Sequence, residues 1–179
     1  MRKLTITELN RITTEEFKQT KKIPLVVVLD NVRSLYNVGS VFRTSDAFRV
    51  EKIWLCGVTG TPPNPEIHKT AIGAEFSVDW EASDSTVEVV RQLRQAGYFV
   101  YSVEQVEGSD KLQNLKLDPT RKYAVVMGNE VKGVQQEVVD ISDGCLELPQ
   151  FGTKHSLNVS ITTGIVIWDF FKQLGKDLL

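Results

Sequence analysis

A chain of 179 residues, 41% hydrophobic and 25% charged, is long enough to bury one core without staples. Cys56 and Cys145 lie far apart in apolar runs, so both read as buried thiols of a reducing compartment; no CxxC and only His68 and His155 argue against a metal site. The net charge of −2 argues weakly against nucleic acid, but residues 1–50 hold nine Lys/Arg and five Asp/Glu, a charge of +4 against −6 for the remainder.

Residues 1–10 lack the apolar stretch of a secretory signal, and no run of 18 or more apolar residues follows, so a cytoplasmic protein with no membrane partner is expected. Residues 4–22 read as a helix with sparse apolar positions Leu4, Leu9, Ile12 and Phe17, ended by Pro24. Lys18, Lys21 and Lys22 join Arg33, Arg43 and Arg49 in the positive segment, which suits either an RNA-facing surface or a solvated helix face. Residues 25–30 (LVVVLD) are a strand covered on both faces. A helix follows over 37–48, capped by Asn37, with Val38, Val41, Phe42 and Ser45 on one face. Residues 52–57 are a second strand, 59–65 (TGTPPNP) a loop, 66–73 a short helix and 77–80 a strand end. A helix over 84–96 presents Val87, Val90 and Leu93 and stops at Gly97. Strands are expected at 98–103, 123–127 and 145–148, with a short helix over 134–141. The last helix, 156–174, carries a face of Leu157, Ile161, Gly164, Ile165, Trp168 and Phe171.

Strands alternate with helices, the pattern of an α/β fold: a parallel sheet with helices on both faces. Ligands in such sheets sit beyond the carboxyl ends of the strands, here after Asp30, Val103, Met127 and Leu148. No repeat or internal domain boundary is visible.

Three segments at that edge carry chemistry. In 37–44 (NVGSVFRT), Gly39 admits a close backbone and Arg43 forks toward phosphate near a helix N-terminus; a capped helix with an exposed arginine reads the same way. In 126–133 (VMGNEVKG), a strand runs into Gly128, Asn129 and Glu130, and the carboxylate could accept from a hydroxyl or amine; an ordinary strand-to-helix turn is the alternative. In 148–160 (LPQFGTKHSLNVS), Ser156, Asn158 and Ser160 open a helix with more polar groups than a cap requires, or with a surplus of them. Their coincidence at one edge suggests a site of Arg, Asn, Glu and Ser, without a metal or a cysteine nucleophile.

In order and spacing these segments resemble the three motifs of the SpoU (TrmH-like) RNA 2′-O-ribose methyltransferases of the SPOUT class, and LPxxGxxxSLNVS is the most specific of them. The resemblance spans residues 25–174. It implies an α/β fold whose C-terminal part threads a deep trefoil knot over about residues 128–165, a rarity among proteins. It also implies S-adenosylmethionine as cofactor, RNA as substrate and a homodimer that shares its active sites. By that resemblance Arg43 activates the ribose 2′-hydroxyl, Asn37 orients Arg43 or the RNA, and Glu130, Ser156 and Asn158 complete the catalytic pocket. Val103, Glu104, Gly128, Asn129, Leu148 and Leu157 would contact the cofactor, many through backbone atoms. An arginine stays protonated at ordinary pH, so Arg43 either acts as a base after a shift caused by RNA phosphate or only holds phosphate in line.

The chain departs from the family pattern at Gln150, where Met is common, and at Lys154 and His155, where an acidic pair is common; these positions bear on target recognition. Residues 1–24 form a short helical extension and 25–179 the methyltransferase domain. The basic positions of that extension would substitute for the separate RNA-binding domain of many relatives. Two rivals to the enzyme are an inactive RNA-binding protein of this fold and an enzyme that modifies a base. The full set Asn37, Arg43, Glu130, Ser156 and Asn158 argues against the first, and the Arg of the first motif with SLNVS against the second. Transfer RNA is favoured over ribosomal RNA because the chain is short. Trp168, Phe170 and Phe171 are candidates for pairing two chains, or for filling a monomer core.

Overall fold

The computed structural model describes residues 1–5 and 7–178; residue 6, inside the helix expected over 4–22, and residue 179, the end of the expected domain, lie outside it. The run IPLVVVLD forms the central strand β1 (Ile23–Asp30). Leu25, Val27 and Leu29 enter one core and Val26 and Val28 the other, which is why this strand is apolar without alternation. The other strands are β2 (Val50–Cys56), β3 (Trp80–Ser83), β4 (Tyr98–Val103), β5 (Asp110–Lys111), β6 (Lys122–Met127) and β7 (Gly144–Glu147). They form one seven-stranded sheet in the order β3-β2-β1-β6-β4-β7-β5, parallel at every pairing.

One face of the sheet is covered by α1 (Thr14–Gln19), α2 (Leu35–Ala47), α3 (Pro65–Ala71), α4 (Ala74–Ser77) and α7 (Val159–Leu174). The other is covered by α5 (Thr86–Gln95) and α6 (Gln136–Ile141). Val38, Val41 and Phe42 of α2 are wholly buried, and burying each such side chain stabilises by about 1.5–3 kcal/mol. Gly39 lies on this face because a Cβ there would stand 2.2 Å from the Ile67 carbonyl oxygen; the close approach it permits is that of α3, not of a ligand. Burial pushes the Cys56 thiol up to about 12, so it stays protonated; Cys145 is only half-buried. Among the described residues, no helix is long and apolar enough to cross a membrane.

Several elements differ from expectation. Residues 4–22 are not one helix: a 3-10 turn (Thr7–Leu9) precedes α1, which starts at a capping box of Thr13 and Glu16, and Pro24 lies inside β1. Ser34, not Asn37, caps α2, its hydroxyl accepting from the Asn37 N–H at 3.3 Å. Residues 74–77 are a helical turn, and β3 begins only at Trp80. The last helix starts at Val159, not 156, with Asn158 as its cap, accepting from the N–H groups of Ser160 and Ile161 at 2.9 and 3.4 Å.

The buried face of α7 is also a different one. Val159, Thr163, Val166, Ile167, Phe170 and Phe171 enter the core, so Phe170 and Phe171 are not free to pair chains. Ile161, Ile165 and Trp168 face outward at 57%, 41% and 46% exposure. A helix apolar on both sides offers two stripes, and periodicity alone cannot rank them.

Candidate active site

Parallel strands release their loops at one edge, and four adjacent strands, β1, β6, β4 and β7, release theirs side by side. A cleft of about 700 Å³ opens over β6, β4 and β7, a size suited to a cofactor. Val103, Glu104, Gly128, Asn129, Glu130, Leu148, Ser156, Leu157 and Asn158 all line it, as do Gln105, Gln136, Gln150, His155 and Thr162. Its floor is apolar, from Met127, Leu146 and Leu148. Ser156 and Asn158 are exposed on its margin, and Leu157, which the sequence pattern suggests as core, is 43% exposed.

Hydrogen bonds join the three motif segments. The Glu130 carboxylate accepts from the N–H groups of Arg33 and Ser34, both at 3.1 Å, at the start of α2. It also accepts from Asn37 Nδ2 at 3.2 Å, while Asn37 Oδ1 accepts from Asn158 Nδ2 at 3.2 Å. Asn37 thus holds the second motif with one end of its amide and the third with the other. Burial pushes the Glu130 carboxyl up, but the N–H groups of Arg33, of its own residue and of Ser34, with the Asn37 amide, outweigh that and hold it below the usual range. A carboxylate at a helix N-terminus is also favoured by the helix dipole. Its observed partners are the backbone amides of Arg33 and Ser34 and the Asn37 side-chain amide, so it serves as an anchor of the loop.

The 128–135 loop is pinned from two further sides. Glu104 accepts from the Val134 N–H at 3.0 Å. Asp30, wholly buried, accepts from Gln135 N–H at 2.9 Å, Gln135 Nε2 at 2.6 Å, Asn31 Nδ2 at 2.9 Å and the Thr86 hydroxyl at 2.6 Å. Gly128 is obligatory here: a Cβ would stand 2.2 Å from the backbone of Gly133 and Val134. Asn129 closes the turn, donating to the Asn31 carbonyl at 2.7 Å and accepting from Val131 and Lys132 N–H groups at 2.9 and 3.1 Å. Gln105 Nε2 reaches across to the His155 carbonyl at 3.3 Å and ties the loop after β4 to the third motif.

Not every expected site residue reaches the cleft. Asn37 lies behind the lining, and Arg43, exposed on α2, is no part of it. In the basic extension Lys22 donates to the carbonyls of Phe17 and Thr20 and covers the Phe17 ring, Lys21 pairs with Asp177 at 3.1 Å and Arg2 with Glu8 at 2.8 Å, while Lys3, Arg11 and Lys18 are exposed. Asp30, Gln105 and Gln135 were missed by sequence reasoning; an acid closing an apolar strand was the one available signal, for Asp30.

The profile of the "SpoU rRNA Methylase family" matches residues 24–168. The tRNA (guanosine(18)-2′-O)-methyltransferase of Thermus thermophilus is 29% identical, over 95% of this chain and 86% of its own. The 23S rRNA (guanosine-2′-O-)-methyltransferase of Nitrosomonas europaea is 29% identical, over 94% of this chain but 64% of its own. The solved structure of an AdoMet-bound rRNA methyltransferase from Sinorhizobium meliloti superposes with a TM-score of 0.78 at 28% identity, covering 88% of this chain and 60% of that one. The chain therefore spans less than two thirds of the length of the last two.

Proposed function

The chain belongs to the SpoU rRNA Methylase family, and from that premise we propose that it transfers a methyl group from S-adenosylmethionine to a ribose 2′-hydroxyl of RNA. The observation that carries this reading is the junction Glu130–Asn37–Asn158, which gathers three separated motifs around one cleft. The cleft suits the cofactor: Met127, Leu146 and Leu148 offer apolar walls to an adenine, and Glu104 offers a carboxylate to a cationic group. Val103, Glu104, Gly128, Asn129, Leu148 and Leu157 would hold it. When bound, S-adenosylmethionine supplies a methyl carbon on a positively charged sulfur.

The chain's own residues then have to present the oxygen. A ribose hydroxyl is a poor nucleophile until its proton is leaving, and it must stand in line with the methyl carbon. Ser156 and Asn158, on the cleft margin, would orient the sugar. An arginine is a poor base at ordinary pH, so Arg43 would grip the adjoining phosphate. Because Arg43 stands outside the cleft of its own chain, the site is completed by a second copy. The outward stripe Ile161, Ile165 and Trp168, continued by Phe48, whose ring centre is 5.5 Å from that of Trp168, supplies the apolar face for such a dimer. Residues 128–165 would thread a trefoil knot, the reading that membership of the family carries. Residues 25–179 are the methyltransferase domain, and residues 1–24 an extension whose Phe17 is buried against it.

Transfer RNA is the substrate class, ribosomal RNA the second choice; the match along 86% of a tRNA enzyme supports that order. We place the enzyme in the cytoplasm, where such RNA is met. Incubation with methyl-labelled S-adenosylmethionine and separated tRNA and rRNA, followed by nucleoside mapping, tests the whole. A 2′-O-methylated nucleoside is expected; label on a base, or in neither fraction, overturns the reading. Sedimentation tests the dimer, and a monomer at working concentration rules out a shared site.

A further inference from the structure

The carboxyl edge of the sheet has a second half, over β1 and β2, beside the cleft. Its loops are braced against each other: Val32 N–H donates to Thr59 Oγ1 at 3.0 Å and Val58 N–H to Asn31 Oδ1 at 3.1 Å. Tyr36, in the first turn of α2 and adjacent to Asn37, is 47% exposed while the opposite face of the helix is buried. Its backbone is fixed, because its carbonyl accepts from the hydroxyls of Ser40 and Thr70, both at 2.9 Å. Lys69 Nζ stands 5.9 Å from the ring centre and is held by Glu66 at 2.7 Å, and the Arg33 side chain is exposed just before the helix. Tyr36, Ser40 and Arg43 follow the i, i+4, i+7 spacing. Tyr36 and Arg43 therefore share one face of α2, about 10 Å apart along its axis.

Resting on the methyl-transfer reading, we propose that Tyr36 is a stacking platform for an unpaired base next to the target nucleotide, with Arg33 and Lys69 holding the adjoining phosphates. An aromatic face accepts any base, because every base has a π face, and flanking cations track the backbone. An exposed tyrosine also suits a peptide partner, but Arg33, Lys69 and Arg43 against the Glu66 carboxylate favour a polyanion. The target nucleotide is methylated on its sugar, so a neighbour gripped by its base leaves the reacting ribose free to be positioned by the Asn37 junction.

The test is fluorescence anisotropy with the full chain and a labelled single-stranded oligoribonucleotide of mixed sequence, titrated at several salt concentrations. Tyr36→Phe keeps the wild-type affinity. Tyr36→Ala loses about tenfold or more at every salt concentration, with the slope of log K against log salt unchanged. Arg33→Ala and Lys69→Ala each make that slope shallower by about 0.7, one phosphate contact apiece. Calorimetry with S-adenosylmethionine should give the wild-type value for all these variants, which shows that each is folded. Equal affinity of Tyr36→Ala and wild type for the oligoribonucleotide, with cofactor binding intact, overturns the platform and leaves methyl transfer standing. A wild-type chain that binds neither cofactor nor oligoribonucleotide overturns both.

Discussion

The two segments that meet at the candidate site, α2 and residues 148–158, are held in opposite ways. α2 is fixed by packing: Val38, Val41 and Phe42 are wholly buried and Gly39 lets α3 lie directly against it. Residues 151–158 are exposed throughout and are held by directed hydrogen bonds, Asn158 to Asn37 and the His155 carbonyl to Gln105. Packing is cooperative and stiff, whereas a few exposed hydrogen bonds leave a segment easily opened. The difference assigns separate duties. On the proposed reading the helix would offer a fixed frame to the RNA, and the exposed segment would border the cleft with a geometry set by single polar contacts. Substitutions on the buried side of α2 should therefore cost stability and spare chemistry, and substitutions of the polar contacts should do the reverse.

The largest effect should come from Arg43. Arg43→Ala should lower kcat by about 10³-fold, in the range of a lost group that stabilises developing charge. The melting temperature and the cofactor affinity should not move, since the side chain is exposed and off the cleft. Arg43→Lys separates the remaining possibilities: near-full activity would rule out both a special base and a needed bidentate fork.

Glu130 comes next, because it serves both regions at once. Glu130→Gln replaces an acceptor-only carboxylate with an amide whose NH2 faces the N–H groups of Arg33 or Ser34. Misplacement of the second motif should reduce kcat by about 10²-fold. The melting temperature should fall only modestly, because the carboxylate is solvent-accessible and screened. Its carboxyl titrates below the usual value in the folded chain. Its contribution is therefore complete above the ordinary carboxylate range and is lost as pH falls through the lowered value. In wild type, acid should remove activity below that range; in Glu130→Gln this limb of the pH profile should vanish. A limb unchanged by the substitution would assign it to another group.

Gly39→Ala probes the opposite member of the comparison. The added Cβ would stand 2.2 Å from both the Ile67 carbonyl oxygen and Thr70 Oγ1, so α2 and α3 must part. Overpacking of this kind costs about 2 kcal/mol, a fall of about 4–8 °C in melting temperature for a chain of this size. Activity per folded molecule should stay within a factor of two or so of wild type. If kcat falls with stability, α2 is not an independent frame.

The strands were legible because they are buried on both faces and so read as unbroken β-branched runs; YAVVM became β6 and LVVVLD most of β1. β5 was not, because a two-residue strand carries no period. The start of α2 was misread because both Ser34 and Asn37 can cap, and only the hydroxyl at Ser34 meets the Asn37 N–H. In the site, Val103, Glu104, Gly128, Asn129, Leu148 and Leu157 came with the family resemblance and do line the cleft, whereas Asp30 and Gln105 had no such source. A buried acid has meaning only once Thr86 and Gln135 are brought to it from distant parts of the chain. Lys22 shows the converse: its charge suggested RNA, but folding turns it onto the carbonyls ending α1.

The smallest predicted effect tests whether the exposed segment is braced from the cofactor side as well. Gln105→Ala removes the bond from Nε2 to the His155 carbonyl. Gln105 is exposed, so water replaces the lost donor and the net loss is about 1 kcal/mol, or about fivefold in an equilibrium constant. Because the bond joins two walls of the cleft and touches no reacting atom, the loss should fall on the KM for S-adenosylmethionine and leave kcat within about twofold. Asn158→Ala, which removes the bond to Asn37 and opens the same segment from that side, should instead lower kcat if Asn158 orients the ribose as proposed. If the two substitutions change KM and kcat in the same proportion, residues 148–158 move as one rigid piece, and the contrast with α2 drawn from their exposure fails.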